Sequence, residues 1–256
     1  MTASNYLFRA KTHEGYIIKI LVELLQQVVK VACLKIKSDG IYLQMPDSRK
    51  RILLDIKLNA NNFNIFELVN EMQIGINLIH FHKMLKSIKK KDSFQFFITA
   101  DNPDELQFFV HPQDNNRLAH SKIQIQKIQN MVMNLPGPYT HPVIIMSNEY
   151  QRTLKDMNNI SNNIRVELRN HSFFLSSTAN NIYSRKVQFG ELDDESTVVY
   201  DEEFEMDAFM RILKIAGLSK SMHIYGSDKS NLPLKISSSI GQLGNISIYM
   251  KSKNQN

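Results

Sequence analysis

The sequence predicts an α+β protein of two similar domains, each built from two helix-plus-antiparallel-sheet repeats. Three observations carry this reading. An amphipathic helix followed by alternating strand segments occurs four times along the 256 residues. A hydrophobic content of 43% is enough for two medium cores in a chain of this length. Near the middle, residues 123–139 (IQIQKIQNMVMNLPGPY) open as an alternating run at Ile123, Ile125 and Ile128 and end at Pro136-Gly137-Pro138, which neither a helix interior nor a central strand absorbs. That stretch reads as an extended connector, so the predicted division is 1–122, the connector 123–139, and 140–256.

In the first half a helix is predicted over 15–31, because Ile17, Ile18, Leu21, Leu24, Leu25, Val28 and Val29 fall on one side at about 100° per residue while Lys19, Glu23, Gln26 and Lys30 fall opposite. The alternating segments ACLKIKSDGIYLQM and RILLDIKLNA follow as strands with one buried face, the first turning at Ser38-Asp39-Gly40. A second helix over 78–89 buries Leu78, Phe81, Leu85 and Ile88 and turns out Lys83, Lys86 and Lys90. Beyond it, DSFQFFITADNPDELQFFV reads as strand, Asn-Pro-Asp turn and strand. The second half repeats the order. A helix over 148–160 buries Tyr150, Leu154 and Met157 and exposes Arg152, Lys155 and Asn159. The strand pair IRVELRNHSFFLSS comes next, then a helix over 207–217 exposing Arg211 and Lys214, then the hairpin MHIYGSDKSNLPLKISS.

Composition narrows the function class. A single cysteine, Cys33, rules out an internal disulfide, and the opening MTASNYLF lacks a charged-then-apolar leader, so a reducing intracellular compartment is expected. No apolar run approaches the roughly 20 residues that cross a bilayer, so no membrane partner is expected. The formal charge of +6 and pI near 9.2 fit a polyanionic partner or simply a solvated basic surface. Catalytic signatures are missing: no phosphate-binding glycine loop, no convincing carboxylate pair, and at His80 and His82 a spacing that does not point two imidazoles the same way from a helix. Asp101, Asp104 and Glu105 read as turn chemistry and Cys33 as core. Neither an enzyme nor a cofactor or metal site is predicted.

Basic residues opposite the apolar stripe recur in all four helices: Lys19 and Lys30; Lys83, Lys86 and Lys90; Arg152 and Lys155; Arg211 and Lys214. One such lysine is ordinary surface. A fourfold recurrence predicts a face that meets phosphates without reading bases, giving binding that ignores sequence and falls steeply with salt. Glu23, Asp156 and Asp207 dilute the face, which suits a mobile attraction rather than a clamped one.

Taken as a whole, the chain resembles the proliferating cell nuclear antigens, the eukaryotic-type DNA sliding clamps. The residues that carry the resemblance are the run LFRAKTHEGYIIKILVELLQQVVKVACLKIKSDGIYLQMPDSRKRILLDIKL, IGINLIHFHKMLKSI, Phe8 to Ala10, Ala32-Cys33, Leu43 to Ser48, Leu135-Pro136 and Leu232 to Leu234. The resemblance implies a homotrimeric ring with helices lining a hole around duplex DNA and sheets outside. It implies tethering of DNA polymerase and other replication and repair proteins, with an ATP-driven clamp loader as a further partner. It places DNA contacts on Lys19, Lys83, Lys86, Arg152 and Lys155, with Lys214 close to another; Gln26 stands where the family has a lysine. A partner-peptide groove is implied at Met45, Lys50, Leu53, Leu135, Pro136, Tyr139, Pro233, Tyr249 and Met250, taking a short Gln-and-aromatic motif. Its subunit contacts fall on the strands around Arg117 and Ile123 on one copy and Ile182, Arg185 and Phe189 on the next.

The alternatives are a subunit of a heteromeric checkpoint ring, or a monomer that holds DNA on one face. The intact Leu135-Pro136 connector favours the processivity clamp. Two departures, Lys50 in place of a common histidine and Met250-Lys251-Ser252 in place of a small residue and proline, predict an altered partner preference. The basic total predicts stronger electrostatic hold on DNA and less dependence on a loader. Asn-, Ile- and Lys-rich usage suggests an AT-rich genome, as in a large DNA virus or protist, and hence work in the nucleus or at a cytoplasmic replication site.

Overall fold

The computed structural model describes residues 5–113, 118–128, 133–139, 141–179, 182–191, 197–227 and 232–255. They belong to two compact units. The first comprises Met1–Met45, Asp55–Val132 and Ser239–Ile246, and the second Pro46–Leu54, Met133–Ser238 and Ser247–Asn256. The cut at Val132 lies inside the stretch read as a connector, but two short segments are assigned out of chain order. Nothing in local sequence marks them.

The first unit opens with β1 (Tyr6–Thr12), α1 (Gly15–Val28), β2 (Val31–Lys37), β3 (Gly40–Pro46) and β4 (Ile52–Asn59), the last passing from the second unit to the first after Leu54. It continues with β5 (Ile65–Leu68), β6 (Met72–Asn77), α2 (Leu78–Leu85), β7 (Ser93–Thr99), β8 (Asn102–His111) and β9 (Ala119–Gln124). α1 buries Ile18, Leu21, Leu24, Leu25 and Val28 of the expected stripe, and also Ile20 and Val22, because α2 packs beside it. It stops three residues earlier than predicted. Val29 is already extended, as suits a run of β-branched residues entering β2. α2 starts at Asn77, whose side-chain oxygen accepts the His80 N–H at 3.1 Å and so satisfies one of the helix's orphan donors.

A five-stranded antiparallel sheet runs β5-β1-β7-β8-β9, so β9 is an edge. Within it Phe8 pairs with Ile98 and Leu106 with Ile123. Alternation sends Phe8, Phe94, Phe96 and Phe108 inward, where their rings meet each other and Phe81 from α2 at 5.4–6.4 Å. The predicted Asn-Pro-Asp turn is displaced: Asn102 already pairs with Thr99, and Pro103 stands at the exposed start of β8, where the ladder does without its N–H. β2 joins β3 and β6 in a second antiparallel array. Its hairpin turns at Gly40, whose φ of 154° and the Leu58 carbonyl 2.1 Å from a would-be Cβ exclude any side chain.

The second unit contains β10 (Val143–Met146), α3 (Ser147–Asn158), β11 (Asn163–Leu168), β12 (Ser172–Ala179), β13 (Tyr183–Gly190), β14 (Tyr200–Glu205), α4 (Met206–Arg211), β15 (Ser221–Tyr225), β16 (Leu234–Ile240) and β17 (Gly244–Met250), β16 and β17 each giving residues to both units. The order of elements thus repeats that of the first unit with one strand fewer between the helices, four (β11–β14) against five (β2–β6). One sheet runs β13-β12-β11-β14, with β13 at its edge; β15 pairs with both β10 and β16. Tyr150, Leu154 and Met157 of α3 are fully buried against α4 and the turn that follows it. The single helix predicted over 207–217 is two pieces. After α4 the chain tightens into a 3-10 turn, Leu213–Gly217, because Ile212, Ile215 and Leu218, all 0–2% exposed, recur every three residues and align only at that pitch. Among the described residues no helix is long and apolar enough to cross a membrane.

Candidate nucleic-acid interface and peptide groove

Each unit carries an exposed basic pair on a helical face whose opposite side is core. In the first unit these are Lys83 and Lys86, the latter the C-cap just past Leu85 with its backbone still helical, and in the second Arg152 and Lys155. Spacing of three residues puts each pair on one side of its helix. All four side chains are solvent-accessible, with the reach of lysine and arginine into water.

The other predicted members of this face behave differently. Lys19 is half-buried, and its ammonium donates to the carbonyls of Lys86 (2.7 Å) and Ile88 (3.0 Å), thereby closing the C-terminal end of α2. Lys19→Met should therefore cost about 1 kcal/mol in urea unfolding, whereas Lys83→Met should be nearly neutral. Lys30 and Lys90 are exposed but lie past the ends of α1 and α2, which corrects their placement on helix faces; both helices are shorter than their apolar patterns suggest. Lys214 is half-buried in the 3-10 turn.

Arg211 requires the largest correction. Its guanidinium sits 2.9 Å from the Asp47 carboxylate, with the arginine side chain 22% and the aspartate 0% exposed. Asp47 also accepts the N–H groups of Arg51 (2.8 Å) and Ile52 (2.9 Å). Burial alone would raise the Asp47 carboxyl, but those two N–H groups and the guanidinium outweigh it and hold the group below the usual carboxylate range. Arg211 thus fastens the loop between β3 and β4, its guanidinium engaged by Asp47 rather than standing free on the helix face.

That loop bears on the predicted groove. Lys50 is exposed and adopts a left-handed backbone, φ 56°, within the turn closed by its N–H to the Asp47 carbonyl at 3.0 Å. Leu53 is half-buried and Leu135 is 43% exposed. Tyr139 donates its hydroxyl to the Pro233 carbonyl at 3.0 Å, and its ring lies 6.0 Å from that of Tyr249; burial followed by the neighbouring Tyr249 pushes its phenol well above the ordinary range. Pro233 is half-buried and Pro136 lies beside the exposed Leu135. These second-unit residues present an aromatic and aliphatic surface. Tyr249 is mostly covered, and Met250 is completely buried, so Met250 belongs to the core and not to a groove wall. In the first unit the Met45 sulfur accepts the Cys33 N–H at 3.2 Å.

The two strands expected at subunit contacts, β9 and β13, are both sheet edges. Arg117 lies outside the described residues. Ile123 is only 8% exposed, facing the core, and Phe189 stacks on Phe173 at 5.7 Å; each can offer a partner its backbone, not its side chain. Ile182 is 87% exposed, and Arg185 reaches back to Asp156 at 3.3 Å. His82 meets Gln26 at 2.8 Å, and among the described residues no group of three or more His, Cys, Asp or Glu could hold a metal.

Sequence reasoning missed Asp47, Tyr225 and Lys235. The run Pro46-Asp47-Ser48 did announce a turn, but the buried partner is 164 residues away.

Comparison with known proteins finds similarity along most of the chain. Residues 7–133 match the N-terminal domain family of proliferating cell nuclear antigen. Over 253 residues the chain is 22% identical to the probable DNA polymerase sliding clamp 1 of Paramecium bursaria Chlorella virus 1, a match covering 95% of this chain and 96% of the viral one.

Proposed function

We propose that this chain, whose residues 7–133 match the N-terminal domain family of proliferating cell nuclear antigen, is a DNA sliding clamp, a processivity factor that closes around duplex DNA as a ring of three copies and tethers DNA polymerase. A clamp does its work by tethering and carries out no covalent chemistry. The observation that supports the reading most directly is the pair of exposed basic faces, Lys83 with Lys86 and Arg152 with Lys155, each opposite an apolar stripe. Such faces attract phosphates and carry no groove-reading geometry.

Ring closure falls to the two edge strands. β9 of one copy pairs with β13 of the next, satisfying the open backbone groups of both. β13 offers charged side chains at Arg185 and Lys186, already engaged with Asp156 and Glu167, so the interface rests on the ladder more than on apolar burial. Partner proteins dock a Gln-and-aromatic peptide against Leu135, Pro136, Tyr139 and Pro233, and an ATP-driven loader opens the ring. The place of action is the site of DNA replication, in the nucleus or in the cytoplasm for a viral protein.

Light scattering over a range of protein concentrations, in low and moderate salt, is expected to give the mass of three chains. At low salt the protein should bind duplexes of unrelated sequence equally. A one-chain mass at every concentration, with equal retention on circular and linear duplex, would replace the ring by a one-sided DNA binder.

A further inference from the structure

Away from the buried Ile224, Leu234 and Ile236, the hairpin of β15 and β16 holds an ammonium among three phenol rings. Tyr225 and Lys235 stand opposite each other in the strand register. Lys235 Nζ lies 4.7 Å from the centre of the Tyr225 ring, 5.6 Å from that of Tyr139 and 5.8 Å from that of Tyr249. Tyr139 and Tyr225 meet edge to face at 6.4 Å, and the Tyr139 hydroxyl is bonded to Pro233, two residues before Lys235. The lysine is half-buried. Among the described residues its interactions are with these rings, and no carboxylate is paired with it.

We infer that Lys235 sets the specificity of the partner groove, selecting peptides that carry an acidic side chain beside their aromatic anchor. The inference rests on Tyr139 and Pro233 forming that groove. Ring faces attract an ammonium, but much of its solvation in the free protein comes from water on its open side. A peptide that covers the tyrosines removes that water. An ammonium left buried without a counter-charge is costly, and a carboxylate brought by the peptide offsets the loss with a charge-assisted hydrogen bond. A neutral peptide brings no such group. The same lysine therefore favours one class of partner and disfavours another, the two halves of a specificity device. An apolar residue at 235 would reverse the order.

The test uses the full chain and fluorescence anisotropy. Labelled peptides share one Gln-and-aromatic motif; Glu is scanned through the positions flanking the aromatic pair, each with a Gln control. Wild type is expected to bind the best Glu peptide about tenfold more tightly than its control, a preference of about 1.4 kcal/mol that shrinks with salt. In Lys235→Met the preference should fall below about twofold, and the Gln peptides should bind as well as to wild type or better, with melting temperature unchanged to show that the variant folds. Equal binding of Glu and Gln peptides by wild type, or a preference that survives Lys235→Met, would overturn acid selection and leave the groove standing. Failure of wild type to bind any of these peptides would overturn the groove and this inference together.

Discussion

Asp47→Ala is expected to destabilise the second unit by about 3 kcal/mol, lowering its melting temperature by roughly 11 °C. The carboxylate is fully enclosed and serves three donors, the N–H groups of Arg51 and Ile52 and the Arg211 guanidinium. Truncation strands two backbone donors and removes the guanidinium's buried counter-charge at once. The arginine side chain keeps 22% exposure and recovers some water, which holds the loss near the lower end of the range for a broken buried pair. Asp47→Asn isolates the charge, since shape and one acceptor remain. Its sign with pH follows from the depressed carboxyl: the stabilisation by the ionised group is complete above the ordinary carboxylate range and is lost as pH falls through the folded-state value. Urea titrations of wild type and Asp47→Asn should differ at neutral pH and converge in acid, where the protonated aspartic acid resembles asparagine. A constant difference at all pH values would mean that hydrogen-bond geometry, not charge, holds the loop. Because this loop carries Lys50 and leads into Leu53 of β4, Asp47→Ala should also weaken binding of the proposed partner peptide while leaving duplex affinity unchanged.

The Asp47–Arg211 pair also marks where sequence reasoning stops. Periodicity located α1, α2 and α3 within a few residues, since stripes such as Tyr150, Leu154 and Met157 have only one regular solution. It also placed the exposed pairs Lys83/Lys86 and Arg152/Lys155, because opposite a buried stripe there is only solvent. Helical position cannot reveal a partner far away in the chain. Arg211 sits where an exposed residue belongs, and only the fold brings Asp47 beneath it. Lys30 and Lys90 fall outside the helices for a local reason: apolar residues such as Val29 and Ile88 extend the helical pattern past the point where the backbone leaves the helix. Met250 failed because a strand residue near the chain end has two faces, and the burial of β17 decides which one is core. The Lys235 cage depends on cross-strand register, which a hairpin with a long connection does not disclose. What the residues show directly is patterning against water; what they conceal is pairing across distance.

Salt dependence separates the two kinds of basic residue most sharply. Replacing Lys83, Lys86, Arg152 and Lys155 together with glutamine should lower duplex affinity at low salt by at least about a hundredfold. It should also flatten the slope of log K against log salt by as much as about 3.6 per chain, roughly 0.9 for each phosphate that is no longer neutralised. Fold stability should hardly change, because all four side chains reach solvent and surface charges contribute little to it. Arg211→Gln should do the opposite, lowering stability with the slope unaltered, since its charge is spent on Asp47. Topology adds a further distinction. A protein that holds DNA by attraction alone would release circular and linear duplex equally after the fourfold replacement. In a closed ring the helix faces only ease sliding, so the same variant, once around a circle, should remain there until the circle is cut. Affinity in such a molecule governs how the ring finds DNA and how freely it moves; closure governs how long it stays.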